Sequence, residues 1–562
     1  MAKMNGAQMV VKALEDEGVS TVFGIPGGTV IHLYDALYDS KINHILMRHE
    51  QAASHAADGY ARASGRPGVC IATSGPGATN LVTGIATANL DSVPMVAITG
   101  QVATTMIGTD AFQEADIVGA SLPLVKHSFQ LHSPDAVQST IHKAFYIAST
   151  GRPGPVLVDV PADVQKGMGD YKYSTQLDFM GYHPENLYDV SQLDAAVSLI
   201  EHAERPVIFA GGGVIRSGAS ELLTEFALKY EIPVATTLLG KGGFPESHPS
   251  GLSLGMAGMH GHPVANRALM AADVVIAIGS RFSDRTTGKR QSFAADAKII
   301  HIDLDAAEID KAIETDVWLV GDASRVLEAL MAAIRKKIAD HSEWNRELAE
   351  IRIKEPMPRG EIEGEIAPWQ VLETLRGLTG GSAVVTTEVG QNQMWTAQHF
   401  NFEAPRRFLT SGGLGTMGFG FPAAIGAAYA CPEQPVICIA GDGSLMMNIQ
   451  EFDTCARYNI PVKVVLLNNA CLGNVRQWQQ LFYDCRYSNT IYTRNPDFVR
   501  LSEAMGVPAF AVSRPEELTR ALERLLAEPG PALLDVRIPQ GALVLPMVYP
   551  GDSIDHMVSS IG

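Results

Sequence analysis

Val436-Ile-Cys-Ile-Ala-Gly-Asp442-Gly-Ser444 is an apolar run that ends on a carboxylate between two glycines. A second apolar run, Val462–Leu467, follows one helical pattern later and ends on the amides Asn468 and Asn469. Both runs are predicted to be strands, because apolar and β-branched residues dominate them and turn-forming residues follow. The carboxyl ends of neighbouring parallel strands meet at one edge of a sheet, so Asp442 and Asn469 should offer two oxygen donors there. Such a pair suits Mg²⁺, which takes few protein oxygens and commonly bridges to a diphosphate.

The same strand pattern recurs along the whole chain. Apolar runs followed by turn-forming residues and a helical pattern are Val69–Thr73, Met95–Thr99, Val156–Val160, Val207–Ala210, Val274–Ile278, Ile299–Ile302 and Ala383–Thr387. Runs that are apolar at nearly every position indicate parallel strands covered by helices on both faces. The predicted fold class is therefore α/β, with doubly wound parallel sheets that carry ligand-binding groups at the carboxyl ends of their strands.

The length of the chain indicates more than one domain. At 562 residues it exceeds what a single hydrophobic core supports, so we expect roughly three domains. A polar, turn-rich stretch at 170–190 and a charged stretch at 336–365 separate the apolar regions. The predicted domains are residues 1–180, 190–345 and 365–562.

Composition narrows the class of protein. A hydrophobic content of 46% with 19% charged residues is that of a well-buried globular protein and excludes a disordered or fibrous chain. The net charge of −18 argues against nucleic-acid and anionic-membrane partners. The chain has no signal-peptide core and no apolar run of ~18 residues, so we expect no membrane span. The six cysteines form no CxxC pair and no zinc-like spacing, which favours a reduced, cytoplasmic location.

Four further signals have more than one interpretation. Gly413–Gly418 matches GxGxxG but lacks the acidic residue ~20 positions later that a dinucleotide site carries. The alternative is that its glycines let the backbone approach a cofactor ring closely. Glu50 either compensates a helix dipole or takes part in chemistry. Arg285 could bind a phosphate or a keto-acid carboxylate, or pair with Asp284. Trp478 is either a core residue or a pocket wall.

The spacing from Gly441-Asp-Gly443 to Asn468-Asn469 resembles the signature of thiamine-diphosphate enzymes. Over nearly its whole length, the chain is similar to the catalytic subunits of the acetohydroxyacid synthase (acetolactate synthase) family. The resemblance implies three α/β domains that bind, in chain order, the cofactor's pyrimidine, FAD and the diphosphate. The segments that carry it are Pro26–Gly28, Arg48–Gln51, Thr73–Asn80, Ile107–Glu114, Thr150–Pro155, Gly258–Gly261, Arg281–Lys289, Gly390–Trp395, Gly441–Asn448, Asn469–Trp478 and Leu545–Met547.

The resemblance also implies how thiamine diphosphate and its metal are held. Glu50 would be the carboxylate that hydrogen-bonds the pyrimidine ring and activates the cofactor. Asp442, Asn469 and the backbone carbonyl of Cys471 would hold Mg²⁺. The other implied ligands of thiamine diphosphate are Gln391, Asn392, Gly415, Thr416, Met417, Gly443, Ser444, Leu472 and Gly473.

Two more groups of residues follow from the same resemblance. Arg285 and Trp478 would select the second keto acid, with Phe112 and Gln113 nearby. FAD would be bound without a role in net redox chemistry. Its implied ligands are Arg152, Gly212, Met259, His260, Arg281, Phe282, Asp303 and Asp322.

The implied activity joins two keto acids. Pyruvate would be decarboxylated on thiamine diphosphate and its two-carbon unit transferred to a second 2-keto acid. A second pyruvate would give 2-acetolactate, and 2-ketobutyrate would give 2-aceto-2-hydroxybutyrate, in valine, leucine and isoleucine biosynthesis. The implied assembly is a homodimer or homotetramer with each active site between two subunits, and a small regulatory subunit is a further expected partner.

Rival functions stay open at this point. The nearest is an FAD-independent catabolic acetolactate synthase, followed by a pyruvate oxidase-type enzyme that uses FAD as an oxidant. A simple decarboxylase typically uses a His-His pair, which is absent from this sequence. A non-catalytic nucleotide-binding protein on the same fold is disfavoured by the presence of Glu50 together with Asp442 and Asn469.

Four positions depart from residues that are common in the family. Asn474 stands in place of Met and Ala162 in place of Lys, which bears on the preference for the second substrate. Asn392 stands in place of His, which bears on cofactor affinity. Ala103 replaces a common Pro, so we expect weaker binding of sulfonylurea-type inhibitors.

Overall fold

The computed structural model describes residues 2–176, 179, 181–184, 188–336 and 338–560. In these residues the chain forms three six-stranded parallel sheets with helices between the strands, and two short antiparallel pairs. The predicted α/β class is therefore confirmed. The predicted domain boundary at residue 180 lies outside the described residues. Among those described, no helix has the length and apolarity that a membrane crossing requires.

The first sheet lies in residues 21–161 and is buried on both faces. Alternate residues of one strand belong to different buried clusters, Val69 and Ile71 to one and Cys70 and Ala72 to the other. In spatial order the strands are Asn43–Leu46, Thr21–Gly24, Gly68–Ala72, Met95–Gln101, Pro155–Pro161 and His127–Gln130. The α-helices of this part are Gly6–Asp16, Ile31–Tyr38, Glu50–Ser64, Pro76–Asn80, Val82–Leu90, Ile117–Ser121, Val137–Ser149 and Ala162–Lys166.

The central sheet lies in residues 206–320. In spatial order its strands are Ser253–Met256, Val234–Thr236, Pro206–Ala210, Val274–Ile278, Lys298–Asp303 and Val317–Val320. Numbered along the chain, this order is 3-2-1-4-5-6, in which ligands bind beyond the strand ends where the order reverses. Gly211 and Gly279 follow the two strands at that point. The α-helices are Leu193–His202, Gly212–Arg216, Ser220–Tyr230, Pro263–Ala271, Asp284–Thr287, Ala323–Ala333 and Ser342–Lys354.

The third sheet lies in residues 384–537. In spatial order its strands are Phe408–Leu409, Val384–Thr387, Val436–Gly441, Val462–Asn468, Ala532–Arg537 and Ala509–Val512. Gly441 lies opposite Leu467, so the predicted adjacency of the strands that precede Asp442 and Asn469 is confirmed. The α-helices are Pro368–Thr379, Gln391–His399, Gly420–Ala430, Asp442–Leu445, Glu451–Tyr458, Gly473–Phe482, Phe498–Ala504 and Leu518–Ala527.

The first and third sheets pack against each other through equivalent helices. Numbered along the chain, both sheets have the strand order 2-1-3-4-6-5, and in each a helix joins strands 2 and 3. A Cβ added to Gly59 would overlap the carbonyl oxygen of Ala423, and one added to Gly426 would overlap that of Ala56. The two helices therefore touch backbone to backbone, and the residues around them form one buried cluster shared by both sheets.

Candidate active site

Asp442 lies at the carboxyl edge of the third sheet and is 1% exposed. Its Oδ2 accepts a hydrogen bond of 2.6 Å from Asn495 Nδ2, whereas its Oδ1 is buried with no hydrogen-bond partner in the described part of the chain. Burial raises the pKa of this carboxyl to about 6. Asn469 follows the adjacent strand, and its Nδ2 donates to Gln391 Oε1 over 3.0 Å. We call Asp442, Asn469 and Cys471 the strand-end site.

The donors of the strand-end site suit a hard cation. The described residues contain no group of three His, Cys, Asp or Glu that could hold a metal, so a cation here would depend on amide and backbone oxygens beside the carboxylate. These are ligands that Mg²⁺ takes. Burial raises the pKa of the Cys471 thiol to about 12, which keeps it protonated, and thiolates suit softer metals. The backbone carbonyl is therefore the group of Cys471 that fits the predicted role.

An unpaired amide lies against the same edge. Asn392 is 3% exposed, and both its Oδ1 and its Nδ2 lack a hydrogen-bond partner among the described residues. A Cβ added to Gly441 would lie 3.3 Å from Asn392 Nδ2, and one added to Gly443 would lie 2.6 Å from the Tyr492 hydroxyl. Buried polar groups normally find partners, so the free amide and the crowded glycines fit a polar ligand such as a diphosphate.

A chain of side-chain amides joins the strand-end site to the helix Gly473–Phe482. Gln391 Nε2 donates to Gln477 Oε1 over 3.0 Å. Gln477 is 1% exposed and exchanges two hydrogen bonds, of 2.8 and 3.0 Å, with the backbone of Val544. These contacts fix the helix and the segment around residue 544 beside the site. Three predicted cofactor ligands lie in these helices. Ser444 lies in the short helix Asp442–Leu445, and Leu472 and Gly473 lie at the start of the helix Gly473–Phe482.

Asp91 holds a glycine-rich loop of the third part of the chain. Its two carboxylate oxygens accept hydrogen bonds from the backbone nitrogens of Gly412, over 3.0 Å, and Gly413, over 2.6 Å. Arg62 donates to the same carboxylate over 2.8 Å, and Arg216, beside the central sheet, donates to the Asp91 backbone carbonyl. Three parts of the chain therefore meet at one buried residue. The predicted cofactor ligands in this loop are Gly415, Thr416 and Met417.

A cavity of about 830 Å³ lies where the same three parts of the chain meet. It includes the point where the strand order of the central sheet reverses. There a Cβ on Gly211 would overlap the Gly279 carbonyl oxygen, so only glycine fits. All the predicted FAD ligands line this cavity: Arg152, Gly212, Met259, His260, Arg281, Phe282, Asp303 and Asp322.

Charged groups are distributed along the cavity wall. Arg152 Nη1 lies 2.7 Å from a Glu308 oxygen and 3.1 Å from an Asp305 oxygen. Burial raises the pKa of Asp303 to about 6 and lowers the pKa of His260 to about 4, so this imidazole is neutral at pH 7. A large concave site with a few fixed polar groups suits a sizeable polar ligand such as a dinucleotide.

Arg285 and Trp478 meet at the more exposed end of the cavity. The guanidinium carbon lies 5.5 Å from the centroid of the indole ring, within cation–π range. The Arg285 side chain is 57% exposed, and its Nε lies 3.8 Å from Asp284 Oδ2. The ion pair with Asp284 that the sequence left open is therefore long and solvent-exposed, and it is weak. The guanidinium remains accessible to an anionic ligand.

Glu50, Phe112 and Gln113 do not line the cavity. Glu50 begins the helix that packs on the third sheet, and its Oε2 accepts a hydrogen bond of 2.9 Å from Asn80 Nδ2. Phe112 is 88% exposed, and Gln113 has a φ of 59°. No hydrogen bond in the described residues joins these three to the strand-end site. Within one chain, the predicted FAD ligands share the wall of one cavity and the predicted metal ligands lie at the edge of the third sheet, whereas these three residues lie outside that cavity wall.

Comparisons with known proteins place the chain in a family. Models of thiamine pyrophosphate enzymes match it in three parts: the N-terminal TPP binding domain at residues 4–120, the central domain at 193–330 and the C-terminal TPP binding domain at 388–536. A probable acetolactate synthase large subunit of Methanocaldococcus jannaschii is 51% identical, with 99% of this chain and 96% of the relative covered. The chain belongs to the acetolactate synthase large-subunit family.

Other acetolactate synthase large subunits are similar over equal lengths. That of Corynebacterium glutamicum is 49% identical, with 100% of this chain and 91% of the relative covered. The large subunit of isozyme 2 of Escherichia coli is 46% identical, with 99% and 100% covered. The family resemblance and the prediction of a thiamine-diphosphate-dependent enzyme are confirmed. In this chain, the two TPP binding models match residues of the two sheets that share a strand order.

Sequence reasoning did not single out three polar residues that hold the site together in this chain: Asp91, Gln477 and Asn495. Asp91 contacts Gly412, 321 positions away, and Asn495 contacts a residue 53 positions away. No local period or spacing signals such contacts. The Asn495-Pro-Asp497 sequence indicates a turn but not what the asparagine side chain binds.

Proposed function

We propose that this chain is the catalytic subunit of an acetohydroxyacid synthase. It would decarboxylate pyruvate and join the remaining two-carbon unit to a second 2-keto acid, giving 2-acetolactate or, with 2-ketobutyrate, 2-aceto-2-hydroxybutyrate, in branched-chain amino-acid biosynthesis. The observation that carries the proposal is the strand-end site, with its buried, unpartnered carboxylate oxygen. Similarity to acetolactate synthase large subunits over the whole chain supports it.

Thiamine diphosphate, when bound, supplies the carbanion chemistry that lets a 2-keto acid lose CO₂. Asp442, Asn469 and the Cys471 carbonyl would hold Mg²⁺ against the diphosphate. The unpaired Asn392 amide, next to Gly441, would donate to the same group. The proposed remaining ligands are Gln391, Gly415, Thr416, Met417, Gly443, Ser444, Leu472 and Gly473.

Glu50 would hold a proton at a pyrimidine ring nitrogen. Its Oε2 accepts a hydrogen bond from Asn80. A Cβ added to Gly77 would lie 3.3 Å from its Oε1, so the glycine keeps the space beside that oxygen open. Glu50, Phe112 and Gln113 do not line the cavity of their own chain. We therefore propose that a second copy supplies them, which makes a homodimer, alone or within a homotetramer, the smallest active assembly.

Arg285 and Trp478 would select the second substrate. The guanidinium would bind the carboxylate of the acceptor keto acid by its planar fork. The indole would contact the extra methylene of 2-ketobutyrate. One methylene is worth ~1–3 kcal/mol, so the preference for 2-ketobutyrate should be tens-fold and not absolute. Asn474 lines the same cavity and would tune this preference.

The cavity of the central sheet would hold FAD without net redox chemistry. Its proposed ligands all line one cavity, which supports this assignment. Residues 1–180, 190–345 and 365–562 would be the pyrimidine-binding, FAD-binding and diphosphate-binding domains. A small regulatory chain is a further proposed partner, since relatives are named large subunits.

The experiment that tests this function is a discontinuous acetolactate assay. Purified protein is incubated with pyruvate, Mg²⁺ and thiamine diphosphate, with and without FAD, and acetaldehyde is measured in parallel. We expect acetolactate only when FAD is present, and little acetaldehyde. A second assay with equal pyruvate and 2-ketobutyrate measures acceptor preference.

Each rival function has its own outcome in the same assay. Acetolactate formation without a flavin requirement would indicate the catabolic enzyme. Acetate or acetaldehyde as the main product would indicate an oxidase or a simple decarboxylase. No turnover of pyruvate by protein that retains its cofactors would favour a non-catalytic role.

A further inference from the structure

The side chain of Asn495 connects the ends of two strands at the strand-end site. Its Nδ2 donates to Asp442 Oδ2 over 2.6 Å and to Asn468 Oδ1 over 3.1 Å. We propose that Asn495 is a positioning residue that orients the Asp442 carboxylate for a divalent cation. This inference rests on the proposed function, because it concerns the metal that the strand-end site would hold.

The two oxygens of Asp442 are unequal as a result of this contact. Oδ2 is held by Asn495, whereas Oδ1 is buried and has no hydrogen-bond partner in the described residues. A carboxylate held through one oxygen cannot rotate freely, so its other oxygen keeps one direction. A buried carboxylate oxygen without a partner is costly, and a bound cation removes that cost. The arrangement therefore favours cation binding at Oδ1.

The chemistry of an amide suits this role. Asn495 offers a neutral donor, so it orients the carboxylate without neutralising the negative charge that attracts a cation. Partners that hydrogen-bond a metal ligand in this way typically change metal affinity 10- to 100-fold when they are removed. A lysine or arginine in the same place would compete with the cation for the carboxylate.

A wider network holds Asn495 in position. Asn468, which accepts its second hydrogen bond, donates from Nδ2 to Asp535 Oδ1 over 3.0 Å. Asp535 is buried and pairs with Arg537 at 2.7 Å. The contacts from Asp442 through Asn495 and Asn468 to Asp535 thus cross three neighbouring strands of the third sheet. The asparagine is fixed relative to the sheet and not only to its own loop.

The test compares Asn495→Ala with Arg494→Ala, an exposed neighbour in the same loop. Mn²⁺ serves as the probe for the metal, and its binding to each protein is followed by electron paramagnetic resonance in the presence of thiamine diphosphate. We expect Asn495→Ala to weaken Mn²⁺ binding 10- to 100-fold and Arg494→Ala to bind as the wild type does. Mg²⁺ titration of the catalytic rate should show the same shift in midpoint, with saturating metal restoring most of kcat.

A second variant separates positioning from loop stability. Asn495→Ser keeps a donor but shortens the side chain by one bond, so it should lose the contact with Asp442 while the loop stays polar. We expect weakened Mn²⁺ binding with a metal-free thermal midpoint near that of the wild type. Unchanged Mn²⁺ affinity in a folded Asn495 variant would overturn the inference. Failure of the wild type to bind Mn²⁺ with thiamine diphosphate would overturn the proposed metal site itself.

Discussion

The sheet of residues 21–161 and the sheet of residues 384–537 share one strand order, but different side chains follow their strands. In the third sheet, strand 3 ends directly before the buried carboxylate Asp442. In the first sheet, strand 3 is followed by Thr73 and Ser74, and the acid of interest, Glu50, comes after strand 2. The same topology thus carries the proposed metal site at the edge of the third sheet and the proposed proton-holding acid beside the first, because function depends on the residues after each strand.

The first and third sheets also contact each other through equivalent helices. The helices that follow strand 2 in each sheet touch reciprocally, Gly59 against Ala423 and Gly426 against Ala56. Such reciprocal contacts are those of a two-fold interface within one chain. The similarity of these two sheets therefore extends from topology to packing, whereas the side chains that follow their strands differ.

The largest expected effect tests whether the two acids have different roles. Glu50→Gln should lower kcat by about 10²–10⁴-fold, because an amide cannot hold the proton at the cofactor ring. It should leave binding of Mn²⁺ and thiamine diphosphate near wild type. Asp442→Ala should instead abolish retention of the cofactors. Steady-state rates and cofactor binding by ultrafiltration measure both, with the exposed Asp35→Asn as the control. A wild-type rate for Glu50→Gln would remove the assigned role.

The reciprocal helix contact predicts a pair of similar stability losses. Gly59→Ala and Gly426→Ala should each destabilise the protein by about 1–3 kcal/mol, because the added methyl overlaps a backbone carbonyl. Gly360→Ala, with no atom near the added methyl, should change stability by less than ~0.5 kcal/mol. Urea unfolding midpoints measure these changes. The double variant should cost less than the sum of the two, since one helix shift relieves both overlaps; full additivity would argue against a shared interface.

The last comparison concerns a buried aspartate in the sixth strand of each of these two sheets. Asp159 accepts hydrogen bonds from Thr99, Gln101 and Gln130, and burial raises its pKa to about 6. Asp535 is paired instead with an arginine, whose charge opposes the effect of burial on its pKa. Of these two aspartates, Asp159 is therefore the one whose hydrogen-bond partners named here are all uncharged.

Asp159 should make stability depend on pH. Its folded pKa lies above the ordinary value of 3.8, so its contribution is fully present below about pH 4 and is lost as the pH rises through about 6. Asp159→Asn should remove this dependence, so the wild type should lose roughly 2–3 kcal/mol of stability relative to the variant between pH 4 and pH 7. Urea unfolding at a series of pH values measures the difference. Parallel curves for the two proteins would contradict the raised pKa.

Local patterns in the sequence are enough for the two strands that lead into the strand-end site. The apolar run before Asp442 and the run before Asn469 specify two parallel strands, and strand adjacency then brings the two donors to one edge. The proposed FAD ligands could be named only through the family resemblance, because they come to the cavity wall from distant segments. Its assembly depends on how the three parts pack, which no short window of sequence encodes.

Contacts between distant segments explain what the sequence left out. Asn495 orients the Asp442 carboxylate across 53 positions, and Gln477 joins Gln391 to Val544. The sequence around Asn495 predicts a turn and that around Gln477 a helix, both of which are compatible with solvent-exposed side chains. Burial of their amides follows from tertiary packing and is visible only in the structure.

The cluster around Asp91 limits how the molecule can move. Four hydrogen bonds, from Gly412, Gly413, Arg62 and Arg216, converge on this residue, which is 1% exposed. Hinge opening between the sheets would leave a buried carboxylate or guanidinium without its partner, which is strongly unfavourable. Such opening should be a rare, slow event. Ligand exchange should instead depend on faster, local motion at the exposed Arg285 end of the cavity.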